Sequence, residues 1–570
     1  MGRLFDEHAK RKVQSLDGAW KFRLDKENIG EKEGWQEGLE NAETVLVPSV
    51  WNTKQGLLTY EGVAWYEKSF YTRGGTMRFC FGAVMTVADV WLDGEYLGNH
   101  YGGFCQFDFI KTDVKAGVHR LTVRVDNRFD EQSVPQVHVD WYNYGGITRS
   151  VTAETLEGIC ILSSKLDYTL SEDMKNATCD FTLNLYNASG VQECSALNVS
   201  LGENTVYNSE VCLDGNAEKV LKIPAFEAEN VKLWDEGVPN LYTVSMQTKT
   251  DDLFDRVGFR KIWTKNEKIY LNGKELQIRG VNRHEEHPEF GFAFPPALMK
   301  RDIDLALEMG CNAFRGSHYP NAQEFLDFLD ENGVLFWSEI PIWGCGFSEE
   351  ALADPVVVER GLNMHKEMVK HYFNHPSIVF WGMHNEIQSN KPAGFEMTKT
   401  YQKFLRENGG NRLIVFASNH ALNDISYEFT DVICINAYLG WYSDSVEDWG
   451  NFIEELVAYR NELGFSDKPI LMGEFGAAAI YGWHDDENIL WSEEYQAKLI
   501  SYCLELFHKT PAMAGTFIWQ FCDIRTSKDM GLNRARSFNN KGLLNEYRKP
   551  KLAYRAAKNL YLQFKAEMEK

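Results

Sequence analysis

Two glutamates close apolar runs late in the chain: Glu386 ends IVFWGMHNE (378–386) and Glu474 lies in ILMGEFG (470–476). A carboxyl on either side of a substrate is what glycoside hydrolysis needs, one to protonate the leaving oxygen and one to attack the anomeric carbon or activate water. Taken singly, a glutamate ending an apolar run is as readily a salt-bridged or helix-capping acid. Two of them, with Asn385 directly before one, favour chemistry. Competing signals are weaker. His284-Glu285-Glu286-His287 lacks the HExxH spacing of a zinc helix, which leaves at most a divalent ion on Glu285 or Glu286. There is no GxSxG elbow, no histidine signature paired with Cys345, and no GxGxxG or Walker loop, so no metal or nucleotide cofactor is expected.

A repeated strand-and-helix unit would position these carboxyls. Short apolar runs recur at 276–282, 311–318, 334–341, 378–386, 413–419, 432–439, 470–476 and 515–521. Helical patterns lie between several of them; Met299, Ile303, Ala306 and Leu307 fall at i, i+4, i+7 and i+8 and are stopped by Gly310. Eight such units over about 300 residues is the rhythm of a (β/α)8 barrel. Barrel active sites sit at the C-terminal ends of the strands. The polar residues there are Asn282, Arg283, His284 and Glu285; Arg315 and His318; Glu339; Asn385 and Glu386; Asn419 and His420; Asn436 and Tyr438; Glu474; and Trp519. Glu386 follows run four and Glu474 run seven, ends that face each other across a closed barrel.

The preceding residues read differently. TMRFCFGAV, TVADVWLDGEYLG and HRLTVRVDNR alternate with period two and are broken by turns such as Asp93-Gly94, giving a β-sandwich over 1–155. A weaker pattern gives a second, smaller sandwich over 156–262, and the barrel takes 263–570. At 44% apolar and 25% charged, the 570 residues are globular in composition. With 59 Lys+Arg against 82 Asp+Glu, the net charge of −23 disfavours nucleic acid and anionic membrane as partners. Eleven scattered cysteines without CxxC or zinc spacing read as free buried thiols of a reducing compartment. Without a leader-like apolar run at its start, and with no window of about 18 apolar residues to offer a membrane span, the chain is expected to be soluble and cytoplasmic.

At this point the residues resemble a known family. RGVNRHEEHP (279–288), NAFRGSHYPNAQEFLDFLDENGVLFWSEIP (312–341), NHPSIVFWGMHNE (374–386) and KPILMGEFG (468–476) look like signatures of family two glycoside hydrolases. In the sandwiches, VPSVWN (47–52), GVAWYEKSF (62–70), VWLDGEYLGNHYGGFCQF (90–107) and YNYGGITRSV (142–151) resemble that family's sugar-binding domain. The resemblance implies a jelly-roll-like sandwich, an immunoglobulin-like sandwich and a catalytic TIM barrel, assembled as a homo-oligomer, dimer or tetramer. It also implies a retaining mechanism with Glu386 as acid/base and Glu474 as nucleophile.

Within the family, FIWQFCDIRTS (517–527), NNKG (539–542) and YRKPK (547–551) are similar to the barrel end of the β-glucuronidase branch, with its Asn-x-Lys pair at Asn539 and Lys541. A lysine and an amide suit the carboxylate of a uronic acid; alone, Lys541 would be a solvated loop charge. The resemblance further carries Asp140, His318, Asn385, Asn436, Tyr438, Tyr442 and Trp519 to sugar-contacting positions. On spacing alone Asp140 is equally a loop cap, and the aromatics could be barrel packing. Three details depart from the branch: NRHEEHP is closer to the β-galactosidase form, Gly316 replaces the more usual small hydroxyl or alanine after the arginine, and Ala535 stands where an arginine is expected, flanked by Arg534 and Arg536. The expected function is therefore a retaining exo-β-glucuronidase. A β-galacturonidase or β-galactosidase is the alternative, and a non-catalytic carbohydrate-binding protein is a more distant one.

Overall fold

Period-two alternation becomes antiparallel sheet in the first half of the chain. The protein is seen in a computed structural model that describes residues 2–136, 138–344, 347–527 and 534–569. The first sandwich packs a four-stranded sheet on a six-stranded one. At the centre of the larger sheet, Gly117–Asp126 pairs with Val63–Thr72 on one side and Val87–Leu92 on the other. Trp20, Phe22, Tyr66, Phe79, Phe81 and Val123 fill the space between the sheets.

The second sandwich sets Ile159–Leu170, Ala177–Asn187 and Glu218–Lys222 against Asn204–Leu213, Glu193–Leu201, Tyr242–Gln247 and Asp252–Val257. Along Glu193–Leu201, Ser195, Leu197, Val199 and Leu201 point inward while Cys194, Ala196 and Asn198 face solvent. The expectation that every cysteine is a free thiol fails on that outer face. Register places Cys194 directly opposite Cys212 with Cα atoms 4.1 Å apart, and the two form a disulfide. A separation of 18 residues is no recognisable motif; only the strand pairing brings the sulfurs together. Cys80, Cys105, Cys160, Cys179, Cys311, Cys434, Cys503 and Cys522 are free and buried, and Cys345 lies outside the described residues.

A short antiparallel meander, Ile262–Lys265, Lys268–Leu271 and Lys274–Leu276, leads into the barrel and shares its lower core with Trp337, Val415, Leu471 and Phe517. The barrel is closed by parallel strands Ile278–Arg283, Ala313–Gly316, Leu335–Glu339, Ile378–Asn385, Leu413–Ser418, Ile433–Asn436, Ile470–Glu474 and Met513–Ile518. Six of the eight apolar runs hold one strand each, while the first strand extends one residue past its run to Arg283 and the eighth begins two residues before its run at Met513. Every residue of these strands is buried, which is why they appear in the sequence as continuous apolar runs. Helix α1, Pro296–Met309, buries Met299, Ile303 and Ala306 and ends at Gly310 with φ 89°. Leu307, expected on the same face, is 39% exposed. Eight residues on from Met299 it sits about 80° further round the helix, beyond the edge of the buried stripe. Among the described residues, no helix is long and apolar enough to cross a membrane.

Candidate active site

The fourth and seventh strands deliver the two carboxyls. Glu386 follows the last strand residue, Asn385, and turns into the left-handed region at φ 54°. A non-glycine residue held there is strained, and such strain is characteristic of functional sites. Its Oε1 accepts a 2.8 Å hydrogen bond from Asn436 Nδ2 of the sixth strand. Glu474 ends the seventh strand and is 4% exposed. Its Oε1 accepts from Arg315 Nη1 at 2.9 Å and its Oε2 from the Tyr438 hydroxyl at 2.7 Å.

Burial raises both carboxyls above the usual range, and the charge of Glu386 raises Glu474 further. The pair can hold one proton more easily than two charges. Glu474 has a guanidinium and a phenol as donors, whereas Glu386 has a neutral amide. Those donors favour the charged form of Glu474 against burial and the Glu386 charge, which push its carboxyl up to about 8.

Arg315, from the second strand, organises the floor and is fully buried. Beyond Glu474 it reaches Glu339 at 3.0 and 3.1 Å, Asn385 Oδ1 at 2.6 Å and Asn282 Oδ1 at 3.2 Å. Asn282 in turn donates to the backbone carbonyls of Gly473 and Phe517, tying the first strand to the seventh and eighth. His318 places Nδ1 2.6 Å from Glu339 and Nε2 3.7 Å from Glu474. Its ring stacks on Trp519 at 5.2 Å, and burial first, then Arg315, keeps it neutral. Asn385 spends its oxygen on Arg315 and Asn436, while its buried Nδ2 has no protein partner. That leaves a donor free for a substrate hydroxyl.

Beside this centre lies a cationic corner built from loops. After the eighth strand, Ile524–Arg525 and Phe538–Asn539 form a two-stranded ribbon. The turn beyond it is fixed by a fully buried ion pair, Lys551 to Asp523 at 2.7 Å, and Asp523 also accepts from Asn540 Nδ2 and the Gly542 amide. Lys541 is thereby held at 1% exposure, donating to the Tyr442 hydroxyl at 2.6 Å. Among the described residues no carboxylate lies within ion-pair distance of its ammonium. Burial pulls Lys541 below the ordinary lysine range. Asp140 reaches in from the first sandwich and accepts from Arg534 Nε and Asn539 Nδ2, each at 2.8 Å. Its loop is anchored by Tyr144 on Glu286 at 2.7 Å and by Arg149 on Glu285 at 2.8 Å. Gly145 must be glycine, because a Cβ there would fall 1.8 Å from the Trp51 ring.

The sequence-predicted residues thus divide into two adjoining groups. Asn385, Glu386, Asn436, Tyr438, Glu474, His318 and Trp519 form the carboxyl centre, and Asp140, Tyr442, Asn539 and Lys541 the corner. The Tyr438 and Tyr442 rings, 5.3 Å apart, join them. Arg283, Glu285 and Glu286 turn away to Asp302, Arg149 and Tyr144. The principal missed residue is Arg534: it is 8% exposed and takes the position facing Asp140, while Arg536 turns to Glu546. Its signal was a basic residue beside the expected arginine position, one place out of register. Among the described residues, groups of potential metal ligands gather at Cys194/Glu210/Cys212, where the two sulfurs are tied up in the disulfide, and at Asp327/Asp330/His375, and neither contributes to this site.

Three family models match the chain in order. They are the sugar binding domain of glycosyl hydrolases family 2 over 13–156, a second model of that family over 161–260, and its TIM barrel domain over 262–566. A beta-glucuronidase of Bacteroides fragilis is 30% identical, with 95% of this chain and 80% of that one covered. A beta-glucuronidase of Paenibacillus borealis is 27% identical, with 96% of each covered. Among solved structures, a beta-galacturonidase from Eisenbergiella tayi bound to galacturonate superposes with TM-score 0.91, 32% identity and 99% of both chains. A Ruminococcus gnavus beta-glucuronidase in complex with D-glucuronic acid gives TM-score 0.85 and 26% identity over 98% of this chain and 99% of that one.

Proposed function

This chain belongs to glycosyl hydrolases family 2, and from that premise we propose that it is a retaining exo-β-glucuronidase. In the first step Glu386 protonates the glycosidic oxygen as Glu474 forms a bond to the anomeric carbon, and the aglycone leaves. In the second, water loses a proton to Glu386 and displaces Glu474, releasing the sugar with its β configuration kept. Such a reaction calls for carboxyls roughly 5–5.5 Å apart. The unpartnered Nδ2 of Asn385 would hold a ring hydroxyl, in keeping with a 2-hydroxyl contact that strengthens in the transition state.

The observation that carries the choice of sugar is Lys541: a buried ammonium with no carboxylate partner among the described residues, beside an amide at Asn539. A charge placed so is costly unless an anion completes it. The C6 carboxylate of a uronide is that anion; the hydroxymethyl of a neutral hexose is not. A second reading, a β-galacturonidase, is favoured by the likeness to the Eisenbergiella tayi enzyme, at 32% identity against 26% for the Ruminococcus gnavus glucuronidase. The two sugars differ only in configuration at C4.

Four aryl glycosides differing at C4 and C6 test both points. Lys541→Ala is expected to lower kcat/KM on the uronides by about 2–4 kcal/mol, roughly 30- to 1,000-fold, and to spare the neutral sugars. Equal losses on all four would remove the anion-binding role, and the faster wild-type uronide decides C4.

A further inference from the structure

The double displacement uses two carboxyls, yet a third is buried at the centre. Glu339 ends the third strand with no exposure to solvent. Its Oε2 accepts from Arg315 Nε at 3.1 Å; its Oε1 accepts from Arg315 Nη2 at 3.0 Å and meets His318 Nδ1 at 2.6 Å. A buried carboxylate is expensive, and this one has an ion pair without touching the space where substrate would sit. We propose that Glu339 is a positioning residue of the reaction: it clamps Arg315 and His318 so that both aim at Glu474, and its charge keeps Arg315 from neutralising that nucleophile outright.

The geometry supports both halves of this role. A planar guanidinium held through Nε and Nη2 has one orientation left, and that orientation points Nη1 at Glu474 and Asn282. The fourth strand makes room for the clamp with a glycine: a Cβ at Gly382 would lie 2.5 Å from Glu339 Cβ. For the charge, the titratable groups around Glu339 are Arg315 and His318 from the second strand and its loop, Cys434 from the sixth, Glu474 from the seventh and Glu386 from the fourth. His318 is neutral, and burial pushes the Cys434 thiol up so that it is neutral as well. Burial raises Glu339 and Glu474 alike, and in the proposed reactive state, with the proton on Glu386, one guanidinium is shared between these two carboxylates. If Glu339 were uncharged, the whole of that positive charge would rest on Glu474. The nucleophile would be easier to ionise and weaker in attack.

The inference rests on the nucleophile assignment, and the experiment reads the two separately. Glu474→Gly, given azide and an activated aryl glycoside, is expected to yield the α-glycosyl azide; undiminished hydrolysis by that variant would overturn the assignment itself. Glu339→Gln keeps the shape and removes the charge. Its kcat on the preferred aryl uronide should fall roughly 10- to 100-fold with little change in KM. Both limbs of its pH profile should also move to lower pH. The acid limb follows Glu474, which ionises more easily. The basic limb follows Glu386, whose proton the Glu339 charge helps to hold. A purely structural role would reduce the active fraction equally at all pH, so unmoved limbs in enzyme counted by active-site titration would overturn the proposal. Glu339→Asp retains the charge but shortens the clamp, and should lose kcat while keeping the wild-type limbs. If Glu339→Gln does not fold, wild-type kcat in Glu339→Asp would overturn the clamp.

Discussion

The carboxyl centre and the cationic corner touch through Tyr438 and Tyr442, but they are held in different ways. Glu386, Glu474, Arg315 and Asn436 stand at or just past the ends of barrel strands, where parallel neighbours fix each position on both sides. Asp140, Arg534 and Lys541 stand on loops and Asn539 at the end of a two-residue ribbon strand, with Asp140 in a separate sandwich and joined to Arg534 across 394 residues of chain. Strand ends give the precision that bond-making needs, and loops can change without disturbing them. On this arrangement the reaction and the choice of sugar are separable properties of one site.

The sharpest separation comes from Glu474→Gly. Without azide it should lower hydrolysis of every β-glycoside the enzyme accepts by at least about 10⁴-fold, or ~5.4 kcal/mol, with uronides and neutral sugars falling in proportion. A loss confined to uronides would mean that the two regions do not divide the labour in this way. Asp140→Asn is the converse and smaller change. It leaves the shape of the corner but removes the ion pair between Asp140 and buried Arg534. The expected loss is roughly 10- to 100-fold in kcat/KM on uronides, with much smaller losses on neutral glycosides; because the Asp140 charge helps Glu386 hold its proton, the basic limb should move to lower pH while the acid limb stays in place. If Asp140→Asn also moved the acid limb, as Glu339→Gln should, the corner would be electrically coupled to the nucleophile as well as to the acid.

The same division explains what the amino-acid order reveals. Glu386 and Glu474 were legible because strands buried on both faces are apolar throughout, so the polar residues that end them stand out. Arg315 and Glu339 stood out for the same reason. Their link was hidden, since it depends on how neighbouring strands are staggered. Arg534 was legible only as a basic residue near an expected one, because its partner belongs to another domain. The Cys194–Cys212 disulfide depends on strand register, which the alternation of one strand alone does not define. Leu307 shows the same limit within a helix: i+8 places it at the edge of a stripe whose width is set by what packs against it. Local periodicity was enough for the elements. Contacts between elements had to be seen.

The smallest effect concerns how the two regions meet an anionic substrate. The chain carries −23, so a uronide approaching from solvent is repelled at long range before it reaches Lys541. Salt screens that distant repulsion, with a Debye length of roughly 10 Å at 0.1 M. Screening acts far less on a lysine that is 1% exposed, where the final contact is made. Raising ionic strength from about 0.01 to 0.15 M should therefore lower KM for a uronide by no more than roughly two- to threefold and leave kcat unchanged. A neutral aryl glycoside, processed by the same carboxyls, should show no trend. If salt raised KM for the uronide instead, the positive field of Arg534 and Lys541 would have to extend beyond the mouth of the barrel. The corner would then steer substrates as well as select them, and the separation of capture from choice would have to be redrawn at the loop that carries Arg534.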